Sequence, residues 1–280
     1  MPFEPRPFAV EGAPALQGEA TGEGPSVVLC HGITATRRQV LHGSKALPRA
    51  GYEAIAYDAR GHGRSDPAPV GEGYGYPELV GDLERVVAER VGEGRFLLGG
   101  HSMGAHTAVA YALRHPERLA GLVLIGPVYA GAIEAESLDY WDGLAAALEA
   151  DGVEGFLGYL DRRQGIDPRW RDSVLRFTRD RLLAQEHPEA LVEALREVPR
   201  SRPFESLEEL RGLDVPALVV ASNDDADPGH PYEAAAAYAA ALPQGRLVSE
   251  EPGESPLAWQ GGKLSRALAS FYAEALSSAP

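Results

Sequence analysis

Arg95–His106 reads RFLLGGHSMGAH. A short apolar run (Phe96, Leu97, Leu98) leads into Gly100-His101-Ser102-Met103-Gly104, and helical spacing follows at once. This is a strand, a G-x-S-x-G turn and a helix, the pattern of a nucleophile elbow. The turn is tight enough that the serine adopts a strained backbone and its neighbours must be small. Gly100 and Gly104 meet that requirement and leave the Ser102 hydroxyl exposed above the sheet edge. A chain with 32 glycines produces such a pentapeptide by chance more easily than most. The flanking strand and helix separate the functional reading from a plain glycine-rich turn.

Working outward, the strand rhythm is regular. Ser26–His31 (SVVLCH), Tyr52–Asp58 (YEAIAYD), Arg95–Leu98 and Leu119–Ile125 (LAGLVLI) are apolar runs of strand length. Helical spacing separates them at Arg37–Ala50, Pro77–Val91 and Met103–His115. Alternation at this pace predicts a doubly wound, mostly parallel sheet. Short apolar pieces within residues 1–24 suggest an edge hairpin. From about Tyr129 to Gly212 the strands stop, and helices are expected over Tyr140–Ala150, Gly152–Asp161, Trp170–Glu186 and Glu189–Val198. The rhythm resumes with Val215–Ala221, helix Tyr232–Leu242, strand Arg246–Glu250 and helix Leu257–Leu276. The expected organisation is a core of residues 1–128 and 213–280 interrupted by a helical cap at 129–212.

The bulk numbers exclude several classes. With 280 residues, 44% hydrophobic and 24% charged, the composition is that of a globular protein. A formal net charge of −15 argues against nucleic-acid or anionic-membrane partners, which require a basic footprint. Cys30 is the single cysteine and sits inside an apolar run, as a buried core residue would. MPFEPRPFAVEG has no basic segment followed by an apolar stretch, so a signal peptide is not expected, and no run of about 18 apolar residues spans a membrane. A cytoplasmic setting is expected. No metal-ligand spacing, Walker loop or G-x-G-x-x-G after a strand occurs, so no metal or nucleotide cofactor is expected.

Four signatures together resemble the α/β-hydrolases over nearly the whole chain. VVLCHG (Val27–Gly32) resembles the strand and His-Gly turn that builds an oxyanion hole. YDARGHGRSD (Tyr57–Asp66) resembles the family's next loop, GHSMG its elbow, and Val215–Pro228 the strand and loop that present the acid. The resemblance implies an α/β-hydrolase fold with a helical cap and acyl transfer by Ser102 on a small ester or acyl substrate. Relatives with Asp at the elbow, such as epoxide hydrolases, run different chemistry. The oxyanion donors it implies are the backbone N–H groups of Ile33 and Met103, supported by the positive end of the helix that starts at Met103. His31 and His62 fall in family motifs and are expected to hold turns. For the acid, the family spacing after the position of Ser222 selects Asp225, with Asp224 and Asp227 as competitors.

The base departs from the family pattern. Its histidine follows the last strand, where this chain reads Gly253-Glu254-Ser255-Pro256; Glu254 occupies the histidine position, and the last histidine in the chain is His230. Three readings follow. His230, in the neighbouring Asp227-Pro228-Gly229-His230 stretch, supplies the base; Glu254 does; or the chain works without a full triad, as a binding protein or a lyase-type enzyme in the same pocket. A carboxylate is roughly 2 pKa units less basic than imidazole, about 3 kcal/mol of proton affinity. Without a triad member, roughly 10³–10⁴-fold catalysis over water can persist. Arg37 and Arg38 are read as solvent-facing helix charges, with an anionic substrate as the sharper alternative. The aromatics Tyr140, Trp141, Phe156, Tyr159, Trp170 and Phe177 are read mostly as cap packing.

Overall fold

The computed structural model describes residues 3–163, 165–222 and 227–277. Eight strands form one sheet: β1 (Arg6–Val10), β2 (Leu16–Thr21), β3 (Ser26–Cys30), β4 (Glu53–Tyr57), β5 (Phe96–His101), β6 (Leu119–Ile125), β7 (Ala217–Val220) and β8 (Gly245–Val248). Their spatial order is β1-β2-β4-β3-β5-β6-β7-β8. β1 pairs with β2, and β2 with β4, antiparallel. The remaining pairs are parallel.

The central strands are apolar throughout because both faces are covered. Along β3, Val28 and Cys30 pack into one hydrophobic cluster and Val27 and Leu29 into the other. Leu98 and Leu97 of β5, and Leu124 and Val123 of β6, divide in the same way, as the two-residue period of a strand dictates. Helices α2 (Tyr76–Arg90), α3 (Met103–Arg114) and α7 (Tyr232–Ala241) cover the first face, while α1 (Ala46–Arg49) and α8 (Gly261–Ser277) cover the second. Among the described residues, no helix is long and apolar enough to cross a membrane.

Between β6 and β7 the chain leaves the sheet for α4 (Ala135–Arg163), α5 (Arg171–Leu183) and α6 (Pro188–Glu197). Leu144, Phe156, Leu160, Leu182 and Leu191 from these helices form a third cluster with Ile33 and Met103. The excursion therefore packs onto Met103 of the elbow and Ile33 of the turn after β3. Phe156 is buried, Tyr140 packs on Trp141 and Tyr159, and Trp170 lies 6.2 Å from Trp259.

Three local expectations change. The helix expected over Arg37–Ala50 shrinks to α1, because the buried Asp58 carboxylate takes the Arg37 N–H at 2.7 Å and its guanidinium as well. That contact turns Arg37 inward, and His42 follows at φ 49°. Arg37 is thus a structural ion-pair partner, whereas Arg38 faces solvent. In α4 the two expected helices run on from each other with a break at Gly152 (φ 62°, ψ −148°). The last helix begins at Gly261, after a separate 3₁₀ turn at Leu257–Trp259.

Several buried polar groups hold the loops. Arg60 forks onto Asp82 at 2.7 and 2.9 Å, and both are almost fully buried. His31 accepts the Ala59 N–H at Nε2 and donates from Nδ1 to the Gly32 carbonyl, at 2.9 and 2.8 Å. His106 accepts the N–H groups of Val128 and Tyr129 at Nε2, leaving Nδ1–H to donate to the Tyr76 hydroxyl at 2.9 Å. Either ring, if protonated, would set a donor against a donor. Burial accordingly pushes both down to about 3.

Asp82→Ala, which takes the buried carboxylate from a buried guanidinium and leaves it only Glu72 and the Gly73 carbonyl, is expected to cost about 3 kcal/mol in urea unfolding. Lys263→Met at the exposed pair with Glu254 should cost less than about 1 kcal/mol. Equal losses would refute the assignment. For His106 the folded pKa lies below the unfolded value of about 6.5, so the unfolded chain gains the proton first as pH falls. Its stabilisation is complete above about pH 6.5 and drains away toward pH 3, by about 1.4 kcal/mol per pH unit. Between pH 7 and 5 the wild type should lose about 2 kcal/mol more than His106→Gln; parallel losses in the two proteins would contradict it.

Candidate active site

Ser102 stands at φ 52°, ψ −115°, between the end of β5 and the start of α3. Two close passages hold it there. A Cβ on Gly100 would lie 2.1 Å from the Gly104 carbonyl oxygen, and one on Gly104 would lie 2.2 Å from that of Cys30. Strand and helix can cross this tightly only with hydrogen at both positions. The Ser102 N–H donates to the Ile125 carbonyl at 2.9 Å, fixing the elbow to the end of β6.

Met103 is the first residue of α3, so its N–H lies beyond the reach of the helix's own hydrogen bonds. Neither it nor the Ile33 N–H donates to a protein group among the described residues. The Ile33 carbonyl is held by His62 Nε2 at 2.6 Å, while His62 Nδ1 reaches the Arg60 carbonyl at 2.8 Å. His31 and His62 therefore shape the turn, as their motif positions suggested. Burial pushes the Cys30 thiol up to about 12, which keeps it protonated and unreactive.

The residues after β7 include His230, a candidate base. Asp227 and His230 are the first and fourth residues of one turn, closed by the His230 N–H on the Asp227 carbonyl at 3.0 Å. The same two side chains meet, with His230 Nδ1 2.9 Å from Asp227 Oδ2. Burial pushes the Asp227 carboxyl up, but His230, His101 and Arg181 together outweigh it and hold the group below the usual carboxylate range. It is therefore an acceptor, so Nδ1 carries the proton and Nε2 is left free to accept. Asp224 and Asp225, the latter the expected acid, lie outside the described residues.

His230 sits against the elbow. Its ring centroid is 5.1 Å from that of His101, the residue preceding Ser102. It also fills the space over Gly126, where a Cβ would come within 3.0 Å of Cδ2. Gly126 directly follows Ile125, the residue that accepts the Ser102 N–H. Burial, with His230 next, pushes the His101 imidazole down to about 3, so it is neutral. Glu254 is elsewhere engaged: Lys263 holds it bidentately at 2.8 and 2.9 Å and keeps its carboxyl below the ordinary value. That shift is opposite to what a general base needs.

Three neighbours carry no sequence signal of a role. His101 is the variable position of the elbow pentapeptide. Arg181 is in the last turn of α5, and Gln185 lies just beyond its C-terminal end. Gln185 Nε2 reaches the carbonyls of Thr34 and Ala35 at 3.2 and 3.3 Å, and its Oε1 accepts the Gly63 N–H at 2.6 Å. It straps the helical excursion to the Ile33 turn.

Known proteins resemble this chain in sequence and in fold. Epoxide hydrolase B of Mycobacterium tuberculosis is 41% identical over 109 residues, 39% of this chain, and the match spans only 30% of that relative's length. A non-heme haloperoxidase of Rhodococcus erythropolis is 30% identical over 198 residues, covering 64% of this chain and 67% of the relative. The solved structure of a thermophilic esterase from Thermogutta terrifontis superposes with a TM-score of 0.78 at 23% identity, over 97% of this chain and 99% of that one. At that identity the likeness speaks to the fold alone. A family model described as alpha/beta hydrolase fold matches residues 25–261, from the residue before β3 to the first residue of α8. Sheet order, elbow and family match agree, and the chain belongs to the alpha/beta hydrolase fold family.

Proposed function

We propose that the protein is a serine hydrolase, a carboxylesterase that cleaves a small ester or acyl substrate through an acyl-serine intermediate. The observation that carries this reading is the Asp227–His230 hydrogen bond on a turn packed against the elbow. It supplies an imidazole in the tautomer a serine nucleophile needs, despite the glutamate after β8.

In this mechanism His230 Nε2 takes the Ser102 Oγ proton as Oγ attacks the carbonyl carbon. The Ile33 and Met103 N–H groups receive the oxyanion, and the dipole of the twelve-residue α3 adds positive potential there. Collapse expels the alcohol, protonated by His230. Water then enters with His230 again as base, releasing the acid and restoring Ser102. Asp227 holds the imidazole and stabilises its charged form without accepting the proton. A serine at the elbow forms an acyl ester, which separates this chain from relatives whose elbow carboxylate opens epoxides.

A fluorophosphonate probe should label the wild-type chain and leave Ser102→Ala unlabelled; labelling of folded Ser102→Ala would sink the nucleophile. On 4-nitrophenyl butyrate, His230→Ala should lower kcat by about 10²–10⁴-fold, and Asp227→Asn should lower it as well. Glu254→Gln should stay within about twofold of wild type. A collapse in Glu254→Gln with His230→Ala unaffected would reverse the assignment of the base.

A further inference from the structure

The reaction scheme leaves one partly buried cation unused. Arg181 lies near the C-terminal end of α5, a segment anchored along its length at three points. Trp170, just before the helix, packs on Trp259; the Phe177 ring lies 6.2 Å from that of His42; and Gln185 is strapped to the Ile33 turn. Arg181 is three residues after Thr178, a buried residue of α5, and lies on the same side of the helix. It lies near enough to Asp227, His101 and His42 to influence the protonation of each.

The guanidinium is under-used. It carries five N–H donors, and the one donation it makes among the described residues is from Nη2 to Thr178 Oγ1 at 2.9 Å. Its Nε is buried with no partner among them. No carboxylate, Asp227 included, comes within ion-pair distance of it there. A guanidinium cannot shed its proton to relieve burial, so it stays charged and short of acceptors beside the dyad. A planar fork of donors in that state matches a carboxylate.

We propose that Arg181 receives a carboxylate carried by the substrate, so that the preferred substrates are small esters bearing an acid group a few carbons from the reacting carbonyl. This rests on the acyl-transfer reading above and narrows its substrate class. The chain's net charge of −15 repels anions at long range, which makes a short-range receptor for one informative. Arg181 binds and orients; it takes no proton.

The test compares kcat/KM for 4-nitrophenyl hydrogen glutarate with that for 4-nitrophenyl butyrate. The wild type should favour the anionic ester. Arg181→Met should lower the anionic-to-neutral ratio about 10–100-fold, chiefly through KM, and Arg181→Lys should recover part of it. An unchanged ratio in Arg181→Met, or in Arg181→Gln should the former fail to fold, would overturn the proposal. Binding of glutarate to Ser102→Ala by calorimetry gives a readout independent of turnover. It should weaken by a similar factor on adding Arg181→Met, and equal affinities would again overturn it. If neither ester turned over and no probe labelled Ser102, Arg181-dependent glutarate binding would retain the anion site while removing the esterase.

Discussion

The molecule is organised around a crossing in which strand β5 turns into helix α3 with almost no room. Ser102 occupies a left-handed backbone conformation that costs an ordinary residue on the order of 1–3 kcal/mol, and the surroundings hold it there. The Gly104 backbone rests against the end of β3, the Ser102 N–H is tied to β6, and α3 is buried along most of its length. Because three central strands converge on one residue, its position is set by the whole sheet. The parts that vary more freely, the helical excursion and the loops after β7 and β8, are arranged around that fixed point.

The same crossing explains how much was legible in the sequence. Continuous apolar runs bounded by glycine placed the central strands, and their alternation with helices implied a doubly wound, mostly parallel sheet. The elbow announced itself because only glycine fits on either side. Arg37 shows where periodicity fails: its neighbours have helical spacing, yet a buried carboxylate on another strand draws its side chain and N–H inward. Nothing local in the sequence reports a charge that arrives from 21 residues away.

The site was legible in proportion to how local its parts are. Asp227-Pro228-Gly229-His230 is a turn sequence, with proline preset for its second position, and its two functional groups are separated by that one turn. The family spacing selects Asp225, which lies outside the described residues, while the contact between Asp227 and the imidazole depends on how the turn closes and is not read from a count along the loop. Arg181 and Gln185 were invisible for a different reason. On a mainly polar helix they resemble solvated surface residues, and only the docking of α5 onto the Ile33 turn gives them partners.

Placing the histidine and its carboxylate on one four-residue turn has a consequence beyond the hydrogen bond itself. When a histidine and its partner acid come from two loops, each loop must hold its register against the other, and drift in either breaks the pair. Here the partners travel together, so a shift of the turn moves the dyad as a unit and leaves its internal geometry intact. The loop after β8 is then relieved of that alignment. Its sequence is free to answer to the surface alone, where Glu254 pairs with Lys263 in the first turn of α8.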